Sequence, residues 1–204
     1  MLRKSLLITL LSVMFTFNTQ ATIVNFDLSN ISPFGGPDQS SEADSGSVAI
    51  LSGGSGLDIT GNWWAAVTES FEVINSTYLI FDFKTSDIGE IHGIGFASSG
   101  ENSPAAIEST TFQLLGYQNW GIQDFRIDAN DAVLDETYSF SINVGSFFTG
   151  TFDRIIFVMD DDGNDGQANG SANSQFSNVS VVSAPSTLGI MLLSFGLILL
   201  RTRK

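Results

Sequence analysis

Between residues 160 and 170 the chain reads DDDGNDGQANG, directly after the apolar run RIIFVM. Asp160, Asp162, Asn164 and Asp165 place hard oxygen donors close together, and Gly163 and Gly166 let the backbone curl around an ion. Calcium takes about six to eight such oxygens, so the stretch has the composition of a calcium loop. It is not an EF-hand: counting from Asp160, the sixth position is Asp165 rather than glycine and the twelfth is Ser171 rather than glutamate. Asp153 and Asn178 are further oxygen donors from flanking strands. A solvated acidic loop has the same composition, and the residues alone leave both readings open.

Aromatic side chains are the second resource. Trp63 and Trp64 are adjacent in a strand-like segment, so their rings point to opposite faces and one of the two is expected in the core. Phe147 and Phe148 pose the same question. Tyr117 and Trp120 lie in LLGYQNWGIQDF, where a strand runs into a glycine-bounded loop. An exposed ring beside amides and carboxylates suits a sugar, stacking on its C–H face while Asn, Gln and Asp bond its hydroxyls. Trp64, Tyr117 and Trp120 are therefore the candidate glycan-binding residues, with core packing as the competing use of each ring.

Nucleophilic chemistry finds little support. His92 is the single histidine, so a Ser-His-Asp site would have to use it, and no G-x-S-x-G elbow accompanies it. A two-carboxylate glycosidase stays open, because its acid pair is defined by spatial separation rather than by spacing along the chain. There is no H-E-x-x-H, P-loop or dinucleotide fingerprint.

Charge narrows the partners. Of eight basic residues, Arg3 and Lys4 lie near the start and Arg201, Arg203 and Lys204 at the far end. That leaves Lys84, Arg126 and Arg154 against all 22 carboxylates, a formal 3 − 22 = −19 between. Such a surface repels phosphate backbones, which excludes nucleic acid as a partner, and it attracts cations. No cysteine is present, so neither disulfides nor thiolate metal sites hold the fold.

The elements that must position these residues are strands. IVNFDL, SVAIL, WWAAV, SFEVI, TYLIFDF, IHGIGF, TTFQLLG, TYSFSINV, RIIFVM and QFSNVSVV are rich in Phe, Ile, Val and Thr with period-two alternation. EVINSTYL reads as a hairpin around Asn75 and Ser76. No stretch in the middle of the chain shows a convincing helical period. The expectation is an all-β, antiparallel β-sandwich or jelly roll over residues 22–182, with 35–47 and 98–109 as long polar loops.

Both ends read as processing segments. Residues 1–21 have a basic start, an apolar stretch from Leu6 to Phe17 and small residues at Thr19 and Ala21, the layout of a secretory signal peptide. Residues 183–204, SAPSTLGIMLLSFGLILLRTRK, join an apolar run to a basic cluster. Leu188 to Leu200 is 13 residues, about 20 Å of helix against a hydrocarbon core of roughly 30 Å, a marginal transmembrane anchor. Arg201, Arg203 and Lys204 fit the positive-inside preference, placing the acidic domain outside.

This end resembles the PEP-CTERM sorting signal of bacterial exosortase substrates, also known as an ice-binding-protein C-terminal motif. Pro185 matches the second proline of the motif, Ser186, Thr187 and Leu188 match the residues after that proline, and Arg201, Arg203 and Lys204 match its basic cluster. Ser183 and Ala184 stand where the first proline and the glutamate are usual. The resemblance implies a Gram-negative host making extracellular polysaccharide, transient retention in the membrane, an exosortase-type processing partner, and delivery to the cell surface or matrix. The body weakly resembles carbohydrate-binding β-sandwich modules through IHGIGF, TFQLLGYQNWGIQDF, DRIIFVMDDD and SQFSNVSV, with Ser177 where such modules often carry Asp. The function expected is thus a non-catalytic, calcium-stiffened binder of extracellular polysaccharide. A structural matrix protein without a ligand and a two-carboxylate polysaccharide-degrading enzyme are the alternatives.

Overall fold

A computed structural model describes residues 20–36, 39, 46–162 and 170–183. These form eleven strands: β1 Gln20–Ile23, β2 Ile31–Pro33, β3 Ser47–Ile50, β4 Gly56–Thr60, β5 Trp63–Val73, β6 Thr77–Lys84, β7 Ile91–Ala97, β8 Thr111–Leu115, β9 Tyr138–Ile142, β10 Gly150–Asp160 and β11 Asn173–Ser183. One sheet runs β3-β4-β11-β6-β9, with β1 also paired to β11, and the other runs β2-β5-β10-β7-β8. Every ladder between named strands is antiparallel, so the all-β sandwich expected from the residue pattern is the fold.

The strand candidates map closely onto these elements, with four differences, the first being that β2, Ile31–Pro33, was not among them. WWAAV and SFEVI are one continuous strand, β5, because Thr68 to Ser70 keep the extended backbone across an irregularity in the ladder to β10 between Phe152 and Arg154. GLDIT was not among the candidates yet forms β4, whose Leu57 and Ile59 enter the core. IVNFDL is strand only at its start: β1 ends at Ile23, and Gln20 and Ala21 belong to it, paired with Ser183 and Val182. The turn at Asn75 and Ser76 is closed by the Thr77 N–H on the Ile74 carbonyl at 2.9 Å.

The two sheets differ in how they meet water. The β6 strand alternates, with Leu79, Phe81 and Phe83 buried and Tyr78 and Ile80 exposed, as expected of a sheet wet on one side. By contrast β7 is buried throughout, and β10 from Ile155 to Met159. Ile94, Phe96, Ile155, Phe157 and Met159 face the inter-sheet core beside Phe81, Phe83 and Phe176. Trp64, Ile156 and Val158 face away into a second apolar layer, roofed by Phe34, Ile107 and Trp120. Ile107 sits on a one-turn helix, α1 Pro104–Ile107, the helical element that the residue pattern did not show. Among the described residues no helix is long and apolar enough to cross a membrane. Residues 1–19 of the leader expected over 1–21, and the tail segment from Ala184 onward with Pro185, Ser186, Thr187, Leu188, Arg201, Arg203 and Lys204, lie outside the described residues.

His92 links the sheets. It is fully buried, it accepts from the Gly89 N–H at Nε2 (2.8 Å), and its Nδ1 faces the Ser174 hydroxyl on β11 at 2.8 Å. The Gly89 contact puts the ring proton on Nδ1, and Ser174 in turn donates to the Met159 sulfur at 3.2 Å. Burial pushes the His92 pKa down to about 3, against a small upward pull from Asp87. An unfolded histidine takes up its proton below about pH 6.5, whereas the folded one resists until about 3. Stability is therefore lost as pH falls through that window, by on the order of 3 kcal/mol from this residue at pH 4. Urea unfolding of wild type and of His92→Gln at pH 7 and pH 4 checks this. The variant is expected to start less stable and to lose less on acidification, and equal losses would contradict the assignment.

Candidate functional site

The loop after β8 is set by backbone geometry. Gly116 has φ +128, and a Cβ there would lie 2.2 Å from the Glu90 carbonyl oxygen, so the chain turns here only with glycine. The Tyr117 and Gln118 N–H groups then bond the Gly89 and Glu90 carbonyls at 3.2 and 3.0 Å, which brings Tyr117 to the rim with 40 % of its surface exposed. Gln113, fully buried on β8, holds the same loop from beneath. Its amide donates to the carbonyls of Leu115 (3.3 Å) and Gln118 (2.6 Å), and its oxygen accepts from the Trp120 N–H at 3.1 Å.

Arg126 completes the frame. One guanidinium nitrogen donates to the Gly116 carbonyl, and another to the Asn119 side chain and to Gln123 Oε1. Asp128 accepts from the backbone and side-chain N–H groups of Asn130 at 2.8 and 2.9 Å. Those two bonds and then the charge of Arg126 hold its pKa below the usual carboxylate range. Together Tyr117, Gln123, Arg126, Asp128 and Asn130 line an open groove of about 460 Å³. An aromatic ring, a guanidinium, two amides and an ionised carboxylate on one shallow surface can stack on and hydrogen-bond a polyhydroxylated ligand.

The aromatics named from the sequence divide. Tyr117 lies in the groove. Trp64 is 1 % exposed and packs edge-on against Trp120 with ring centroids 5.0 Å apart, so it offers no open ring face. Trp120 is half-buried and roofs the outer layer of β5 and β10. Trp63, expected on a wet face if Trp64 were core, packs against the inter-sheet core instead, because both faces of this sheet are apolar. Phe147 and Phe148 sit at the end of a 3-10 turn, not on a strand, and both ring-pack on Phe112.

The acidic stretch is built differently from its composition. Asp161 is buried, and its two oxygens accept the Gly170 and Ala172 N–H groups at 3.0 and 2.8 Å, closing the ends of the 163–169 segment. Asp160, half-buried, and Asp162, exposed, flank it. Burial, then the neighbouring Asp162 and Asp161 carboxylates, push the Asp160 pKa up to about 6, against a hydrogen bond from Trp64. Asn164 and Asp165 lie outside the described residues. Among the described residues no three His, Cys, Asp or Glu side chains are arranged to hold a metal. Asp153 and Asn178 have partners of their own. Asp153 is seven positions back from Asp160 along β10, about 23 Å away from it, bonded to Arg154 at 3.2 Å. Asn178 sits in the β11 bulge and donates to Asp82 at 2.7 Å.

Asp161 and Gln113 are the positions that reading by composition missed. Asp161 looked like one acid among neighbours, and Gln113 like a strand polar residue. The available signal was placement: each falls where an apolar strand ends and a loop must be tied. Asp161→Ala strands two backbone donors and is expected to lower stability by about 3 kcal/mol, while Asp162→Ala changes it by less than about 1 kcal/mol. Thermal or urea unfolding in calcium-free buffer compares them, and equal effects would contradict the structural role of Asp161.

No family model and no curated protein sequence matches the chain. Solved structures similar to it include a mutant of a family 29 carbohydrate-binding module, 12 % identical over 82 % of this chain and 94 % of that one, with a TM-score of 0.42. A further mutant of a family 29 module, complexed with cellulohexaose, is 13 % identical over 81 % and 92 % of the two chains, with a TM-score of 0.41. The basic winged bean lectin with Tn-antigen is 10 % identical over 83 % of this chain and all of its own, with a TM-score of 0.47.

Proposed function

We propose that this chain is an exported, non-catalytic glycan-binding β-sandwich that works at the cell surface or in the extracellular matrix. The observation that carries the reading is the groove in which exposed Tyr117 stands beside Arg126, Gln123, Asp128 and Asn130. Extracellular polysaccharide is the partner that suits this chemistry. Export and sorting by an exosortase-type enzyme rest on the leader and tail patterns, Pro185 to Leu188 and the closing basic cluster. Calcium is proposed as a stiffener of the 160–166 loop through Asp160, Asp162, Asn164 and Asp165, since Asp160 and Asp162 flank the point where Asp161 ties that loop shut.

A non-catalytic reading is favoured by what His92 does. It faces Ser174 at 2.8 Å, the spacing of a nucleophile and its base, but both residues are fully buried. The ring donates to the hydroxyl rather than accepting from it, so it cannot activate the serine as a base.

Binding to a polysaccharide panel, followed by calorimetry with the best ligand, tests the site. Tyr117→Ala is expected to weaken binding about tenfold with little loss of stability. Trp64→Ala instead costs about 3 kcal/mol or more of stability, as for other buried aromatics. Unchanged affinity in Tyr117→Ala would refute the groove. For the metal, millimolar calcium is expected to raise the melting temperature of wild type and not that of Asp160→Asn/Asp162→Asn; absence of any shift in wild type would count against it.

A further inference from the structure

The strand register gives the molecule two unlike poles. Strand β10 spans 11 residues, about 35 Å. At one end Gly150 pairs with Val73, and at the other Asp160 pairs with Ile91. The groove belongs to the Asp160 end, because Gln118 bonds Glu90, whose own N–H bonds the Asp160 carbonyl at 2.8 Å. Gln20 and Ser183 pair with one another at the opposite end, where Thr77 opens β6 and its hydroxyl meets that of Ser183 at 2.9 Å. The segments before residue 20 and after residue 183 therefore leave the domain side by side, at the pole away from the groove.

That pole carries the outward apolar side chains of the wet sheet. Ile23, Ser180, Ile80 and Ser141 lie opposite one another across β1, β11, β6 and β9, and Ala21, Val182 and Tyr78 form the next row. Ile23 is 76 % exposed, Ile80 39 % and Tyr78 37 %, with Ile74 at 42 % on the adjoining hairpin. In a domain of 22 carboxylates, residues 20–26, 73–81, 141–152 and 178–183, which build the wet-sheet side of this pole, include no charged residue, while Glu101 and Arg154 stand at the same end on the other sheet. Glu72, Asp82 and Asp153 mark the edges of the uncharged zone.

We infer that the uncharged wet-sheet side of this pole, with the Ile23–Tyr78–Ile80–Val182 patch, rests on the surface of a lipid bilayer and holds the Tyr117 groove up to about 35 Å away from it. The length of chain outside the domain argues for lipid as the occupant. Leu188 begins the apolar run five positions after Ser183, a reach of at most about 17 Å, so a run seated in hydrocarbon keeps the pole within that distance. The uncharged surface avoids the repulsion that the acidic body would meet at anionic headgroups. Exposed Ile23, Ile80 and Tyr78, with half-buried Val182, add apolar contact to an anchor that is itself short. The inference rests on the tail being an anchor and is independent of the ligand in the groove.

The chain lacks cysteine, so single labelling sites can be introduced without background. Full-length protein carrying Ser141→Cys at the pole or Asn130→Cys at the groove is labelled with a fluorophore, reconstituted into phosphatidylcholine vesicles and floated. Quenching by nitroxide lipid is then read. The expected result is flotation of both, with quenching at residue 141 several-fold above that at residue 130. Ile23→Asp/Ile80→Asp should remove the difference while flotation persists. Failure to float would overturn the anchor and the docking together. Flotation with equal quenching at the two sites would overturn the docking alone. Protection of residue 141 in detergent that grows with protein concentration would assign the patch to a second copy, and would also overturn it.

Discussion

Burial of one sheet on both faces is the constraint on which the rest of the molecule depends. Strand β10 is bonded to β5 along one edge and β7 along the other, and residues 155–159 send side chains alternately into two apolar layers. Five such side chains contribute about 10 kcal/mol, comparable with the whole net stability of an ordinary domain. A polar residue at any of these positions would have no water to turn to on either side. The chemistry of the molecule is thereby pushed to the strand ends.

At the groove end, buried polar groups act as ties. His92 receives Gly89, Gln113 holds Gln118 and Trp120, and Asp161 closes the segment between Asp162 and Gly170. Each satisfies backbone groups that a loop would otherwise leave unpaired at a dry boundary. At the other end the hairpin turn at Asn75 and Ser76 and the 3-10 turn at Val144–Ser146 pack through apolar side chains and backbone, while the longer loop after β7 is tied by Arg154, which donates to the Ser98 and Glu101 carbonyls. There Gly145 is forced by close approach: a Cβ would lie 1.9 Å from the Ile74 carbonyl. A cysteine-free chain thus uses side-chain hydrogen bonds where loops are long and direct packing where they are short.

Much of this architecture was legible from period-two alternation, and its failures share a physical cause. Alternation assumes one wet face, which holds for β6, where Leu79, Phe81 and Phe83 are buried between exposed or half-buried neighbours. It does not hold for β5, where Trp63 and Trp64 are both taken into apolar layers, one on each side. The surface that receives Trp64 is made by Phe34, Ile107 and Trp120, which come from loops distant in sequence, so no local pattern announces it. Strand β4 was overlooked because Gly56 and Asp58 dilute a five-residue segment, although a Cβ at Gly56 would meet the Phe176 carbonyl at 2.2 Å. For the groove, Tyr117 was identifiable as an aromatic in a glycine-bounded loop. Arg126, Gln123 and Asp128 were not, since they come together through a chain that doubles back beside β8.

The pairing of Gln20 with Ser183 also fixes how the domain bears mechanical load. The last residues of β11 lie between β1 and β6, bonded to both. Tension entering through residue 183 and opposed at the far pole runs along the strands. It stretches those rungs together in shear, whereas a pull across the sheet would open them one after another. Ser183 is further latched by its hydroxyl contact to Thr77. The point where the chain leaves the domain is therefore a reinforced one, suited to a body that is held at one end and tugged at the other.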